Sequence, residues 1–155
     1  MGTRDGAAPH PTGRGGIVVG VDGSPASLAA LRWAVREGSA RGLTVQAVTA
    51  WHFPVPSTVG NVATVDDRHP VIAAEEVLAS ALAAAGVADD TTTVTTTPVE
   101  GHPAEALMQL AERAELLVVG SRGHGRIFGA LLGSISQYVA SRAACPVVVI
   151  TPQGG

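Results

Sequence analysis

The sequence predicts a single-domain α/β fold built on an open parallel β-sheet with helices on both faces, and three observations carry that prediction. Short β-branched or aliphatic runs alternate with longer helical patterns along the chain, the rhythm of successive βαβ units. Most links between them are short. The core formers are Ala, Val and Leu, with aromatics only 3% of the chain, which suits helices packed closely on a sheet buried on both sides. At 155 residues the chain fits one domain, able to bury roughly 70% of its unfolded surface. No internal repeat is evident.

Taken in order, residues 1–15 (MGTRDGAAPHPTGRG) lack periodicity and are expected to be a disordered tail, leaving 16–152 as the domain. Gly16 to Val21 is the first strand, and Asp22-Gly23-Ser24-Pro25 turns it into a helix. Ser24 suits the N-cap and Pro25 the first helical position. That helix runs to about Ala40, with Leu28, Leu31 and Val35 inward and Gly42 closing it. Leu43 to Trp51 is the second strand, and His52 to His69 a long connection; such loops are often functional. Pro70 to Ala85 is the second helix, with Val77, Leu78 and Leu82 inward and Gly86 at its end. The third strand is expected over the β-branched run Thr91 to Thr97. Gly101-His102-Pro103 opens a third helix carrying Leu107, Leu110 and Ala111. Leu116 to Val119 is strand four, Ser134 to Ala144 helix four, and Val147 to Thr151 strand five.

Charge and composition remove several classes of function. The net charge of −3 and the scattered arginines argue against a nucleic-acid or anionic-membrane surface. Cys145 is the only cysteine, so neither an internal disulfide nor a cysteine-based zinc site can form. No apolar run approaches the ~18 residues of a membrane span, and the first residues lack a signal-peptide core. The expectation is a soluble cytoplasmic protein.

The stretch with most chemical content follows strand four: Gly120-Ser121-Arg122-Gly123-His124-Gly125-Arg126, then Gly133-Ser134. A buried strand feeding a glycine-rich loop and a helix start is the geometry of a phosphate site. Glycines let backbone N–H groups approach an anion, and the helix start adds unpaired donors. A Walker loop needs a lysine, and the chain contains none. Loop residues Gly120–Arg126 are expected to wrap phosphates through their backbone N–H groups. Arg122 and Arg126 are the nearby cations, suited to phosphate oxygens or else solvated. Ser134, with Ile135 beside it, could touch a phosphate, and Ser134-x-x-Gln137 is also a capping box. His124 reads as an accessory contact or an exposed side chain.

The spacing Gly120-x2-Gly123-x9-Gly133-Ser134 resembles the signature of the universal stress protein family, in its ATP-binding branch. The resemblance runs from about Gly16 to Thr151. It implies a Rossmann-like sheet of strand order 3-2-1-4-5, with strands one and four at the switch point where ligands bind. It also implies ATP as ligand, with Asp22 by the nucleoside and adenine met by backbone at Ala50. Asp22 could otherwise merely cap helix one. A carboxylate beside a triphosphate implies Mg²⁺ as well. Gly20 lets the strand end approach a ligand closely. Trp51 could stack on a base or pack in the core.

Catalytic equipment is scarce: there is no G-x-S-x-G elbow, no H-E-x-x-H and no histidine pair at metal-ligand spacing. The expectation is therefore no enzyme but an ATP-binding, nucleotide-dependent regulatory or protective module in stress response. The alternatives are a slow ATP-hydrolysing or adenylyl-transferring enzyme and a nucleotide-free relative of the same fold. Strand 147–151 is uncharged, and the implied order puts it at the sheet edge, where it is expected to pair in a homodimer. One of its faces would then help bury the partner.

Overall fold

The structure is a computed structural model, and it describes residues 15–53, 68–87, 94–123 and 132–152. The expected tail (residues 1–14 of it), most of the connection from His52 to His69, and His124, Gly125 and Arg126 lie outside the described residues. The elements are β1 (Ile17–Gly20), α1 (Pro25–Arg41), β2 (Val45–Trp51), α2 (Pro70–Ala85), β3 (Val94–Glu100), α3 (Pro103–Ala111), β4 (Leu116–Gly120), α4 (Ser134–Arg142) and β5 (Val147–Ile150). All strand pairs are parallel and the order is β3-β2-β1-β4-β5. The expected fold class is the observed one.

Strand alternation sorts the aliphatic residues into two cores. Ile17, Val19 and Val45 pack with Leu31 and Ala34 of α1 and Leu78 of α2. Val18, Val48, Leu117 and Val119 pack on the other face with Leu107 of α3 and Val139 of α4. Each helix therefore starts where a strand ends, on the side its apolar stripe dictates. Pro stands in the first turn of α1, α2 and α3, each behind a residue whose side chain accepts a backbone N–H. For α2 and α3 that residue is a histidine, His69 or His102, accepting through Nδ1. Gly42 and Gly86 close α1 and α2 in the left-handed conformation, φ 66° and 71°, as glycine after a helix permits.

Three local expectations change. The third strand runs on through Pro98 to Glu100, whereas the sequence pattern ends it at Thr97; the start expected at Thr91 lies outside the described residues. Proline is tolerated because β3 is an edge. Gly101 N–H bonds to Trp51 O, so odd-numbered β3 amides face β2 and position 98 faces outward. Helix α4 is capped by Gly133 rather than Ser134, and no side chain completes the cap. Gln137 N–H bonds to Gly133 O, so the ladder begins one residue early and the Ser134–Gln137 capping box does not form. On β5, both faces pack inward: Val148 and Ile150 join the core of α1 and α2, Val147 and Val149 the other. No whole face is left for a partner, because an edge strand in a doubly covered sheet has helices on both sides.

Candidate functional site

The carboxyl ends of β1, β2 and β4 and the start of α3 enclose a cavity of about 210 Å³. It sits at the switch point, where β1 and β4 lie side by side and the helices that follow them, α1 and α4, pack on opposite faces of the sheet. Of the residues singled out from sequence, Gly20, Asp22, Ala50, Gly120, Arg122, Gly123 and Ile135 line it. Ser121, Gly133 and Ser134 are not part of its wall: Ser121 is buried with its N–H on Ile150 O, and Ser134 is exposed. Sequence reasoning missed Ser24, Ser27, Thr49 and Ser136, and it missed the apolar wall of Val21, Val48, Pro103, Leu107 and Val119. Spacing held part of that signal. Ser27 and Ser136 each stand three residues after a helix cap, Ser24 and Gly133.

The β1–α1 turn is built by short side chains folding back on the backbone. Asp22 Oδ1 accepts the Ser24 N–H at 2.9 Å, and Ser24 Oγ accepts the Ser27 N–H at 3.3 Å. Ser24, not Asp22, is thus the cap of α1. Ser27 Oγ accepts the Asp22 N–H and donates to Ser24 O. This lattice holds the exposed Asp22 carboxylate at the mouth of the cavity. Thr49 Oγ1 donates to Val21 O at 2.7 Å, tying the end of β2 to the same turn.

The glycines singled out from sequence have different physical origins. A Cβ on Gly120 would stand 2.7 Å from the Ala26 carbonyl carbon and 2.8 Å from the Ser27 nitrogen. Close packing of β4 on the first turn of α1 therefore requires glycine there. A Cβ on Gly123 would lie 2.7 Å from Asp22 Oδ2, so the loop touches the carboxylate directly. A Cβ on Gly20 would meet Leu107 Cδ1 at 3.0 Å. Gly133 is different: its φ is −68° and a Cβ would find only ordinary contacts, 3.5 Å and beyond. No neighbour among the described residues demands glycine at that position.

Charge is sparse at the cavity. Asp22 and Arg122 are the charged residues of its described wall. Neither α1 nor α4 carries an acid in its first turn, whereas α3 carries Glu105. The positive ends of α1 and α4 are thus unopposed by their own side chains. Among the described residues no three His, Cys, Asp or Glu side chains cluster as a metal site. A single carboxylate does suit Mg²⁺ that arrives on phosphates, since that ion keeps waters and takes few protein ligands. Asp22, whose Oδ2 a Cβ on Gly123 would approach to 2.7 Å, is the carboxylate of the described wall that would hold such an ion.

Trp51 does not stand in the cavity wall. It packs edge-on with Phe53 and His69, ring centroids 5.6 and 5.0 Å away. Cys145 is buried, a small core residue. No helix among the described residues is long and apolar enough to cross a membrane.

The universal stress protein family model matches residues 14–151. Universal stress protein Rv2623 of Mycobacterium tuberculosis is 38% identical over 145 residues, 94% of this chain and 48% of its own length. A universal stress protein of Mycolicibacterium smegmatis is 34% identical over 139 residues, 88% of this chain and 46% of its own. The chain thus spans about half the length of these curated relatives. Among solved structures, a universal stress protein in complex with cAMP is 31% identical, with a TM-score of 0.63 over 92% of this chain and 100% of that one. A universal stress protein from Archaeoglobus fulgidus is 26% identical, with a TM-score of 0.64 over 88% and 98%. Sheet order, switch-point cavity and these matches agree: the chain belongs to the universal stress protein family.

Proposed function

We propose that the chain binds ATP together with Mg²⁺ in the switch-point cavity and works as a nucleotide-dependent regulatory or protective module in stress response. One observation carries this: the Asp22 turn and the Gly120–Gly123 loop, a hundred residues apart in sequence, wall the same cavity. The apolar wall of Val48, Leu107 and Val119 suits a base, and the end of β2 at Ala50 offers backbone groups to its edge. The unopposed start of α4 suits phosphates. The cAMP complex of a protein 31% identical to this one supports an adenine nucleotide as the ligand class. Asp22 and Arg122 then meet the metal and phosphates respectively.

Gly123→Asp sets a second carboxylate against Asp22 Oδ2, and into the phosphate path. Calorimetry should find Mg·ATP binding in the wild type and none in this variant; equal affinities would overturn the proposal. Mass spectrometry of the nucleotide released from natively purified protein identifies the ligand independently. Steady phosphate release well above that of the variant would instead mark an enzyme.

We further propose that two copies pair through the edge of β5. Support comes from the position of Val147–Ile150 at the end of the sheet, uncharged and β-branched.

A further inference from the structure

Three consecutive carbonyl oxygens open the β4–α4 loop, and each accepts a hydrogen bond from elsewhere in the chain. Gly120 O accepts from Ser136 Oγ at 2.5 Å. Ser121 O accepts from the Gly133 N–H at 2.7 Å. Arg122 O accepts from Ser24 Oγ at 3.4 Å. The donors belong to the cap and first turn of α4 and to the cap of α1, two of the helix starts that face the cavity. A bare carbonyl next to an anion opposes it, and in a cleft of low dielectric the opposition is strong. Each of these carbonyls instead holds a donor.

Ser136 makes the shortest of the three ties, is 4% exposed and lines the cavity. It occupies the third helical position, where capping boxes place Glu. A carboxylate there would bring the wrong sign to an anion site, and a hydroxyl brings none. Its proton is committed to Gly120 O, so Ser136 is not itself the donor to a ligand. We propose that Ser136 is a positioning residue for an anionic ligand. Its hydroxyl seats the first turn of α4 on the end of β4 and keeps the Gly120 carbonyl from opposing negative charge in the cleft. The inference rests on the nucleotide-binding function proposed above.

The test is calorimetry of wild type, Ser136→Ala and Ser136→Thr with Mg·ATP and with adenosine. Ser136→Ala should lose roughly tenfold in ATP affinity while adenosine affinity stays within about twofold, because the neutral nucleoside feels no uncovered carbonyl. Ser136→Thr keeps the donor and should bind ATP within about twofold of wild type. Unchanged ATP affinity in Ser136→Ala would overturn the inference, as would equal losses for ATP and adenosine, which mark a merely structural role. If the alanine variant does not fold, the threonine variant decides: weakened ATP binding in a folded Ser136→Thr also overturns it. Wild type that binds no ATP overturns the nucleotide-binding proposal together with this one, whereas ATP-binding wild type with an indifferent Ser136→Ala sinks this one alone.

Discussion

Gly120 and Gly133 stand in one glycine spacing of the sequence, yet the structure separates their physical reasons. At Gly120 a Cβ would sit 2.7 Å from Ala26 backbone, with nothing flexible to yield. Gly120→Ala is therefore expected to cost about 1–3 kcal/mol through overpacking. At Gly133 the same methyl meets atoms only at 3.5 Å or more, and φ is ordinary. Gly133→Ala should change stability by no more than about 1 kcal/mol, the difference between the two residues as a helix cap. If phosphates approach the start of α4 as proposed, that variant should still lose ATP affinity by at least roughly tenfold. Thermal unfolding and calorimetry on the pair separate the two roles; a Gly133→Ala protein that binds ATP normally would reduce Gly133 to a helix start.

At the scale of the element, β5 shows how hydrogen-bond parity can isolate one function. The Leu117 N–H bonds to Pro146 O and the Ser121 N–H to Ile150 O. Even-numbered β5 residues therefore serve β4, and the amide of Val149 points to the open edge. Val149→Pro removes an outward N–H without breaking the β4 ladder, a substitution that edge strands accept. Light scattering should find wild type dimeric at tens of micromolar (an order-of-magnitude figure for a moderately stable dimer) and the variant monomeric. ATP affinity should persist, since Val149 is not part of the cavity's described wall. A wild type that is monomeric at this concentration removes the pairing proposal.

The whole molecule divides its aliphatic content between two cores, and one of them supplies most of the cavity's apolar wall, with Val21 the contribution of the other. Val48, Leu107 and Val119 belong both to the core of α3 and α4 and to the cavity wall. Leu78, 2% exposed, belongs to the core of α1 and α2 and not to that wall. Leu78→Ala is expected to cost about 2–5 kcal/mol, lowering the melting temperature by roughly 5–15 °C. Nucleotide affinity measured well below that melting temperature should stay within about twofold. Leu107→Ala, by contrast, should lower both stability and affinity, because the same side chain fills core and wall. Equal effects of the two variants on affinity would show that the cores are not mechanically separate.

Sequence alone determined the elements. Alternation of β-branched runs with helical stripes marks five strands and four helices, because periodicities of 2 and 3.6 are local properties of the backbone. Pro70 and Gly86 bound α2 as read, since proline starts and glycine ends helices for reasons internal to each residue. The loop beginning at Gly120 was legible because its glycines are close in sequence. What tertiary structure alone decided is the assembly of the cavity. Val48, Leu107 and Val119 look like any inward aliphatic residue until the strand ends are brought together, and Ser136 until its hydroxyl meets Gly120 O. Proline inside β3 and the cap at Gly133 were likewise decided by neighbours, an open sheet edge and a ladder beginning one residue early. Packing and hydrogen bonding between distant segments set these features, and no local pattern encodes a partner fifty or a hundred residues away.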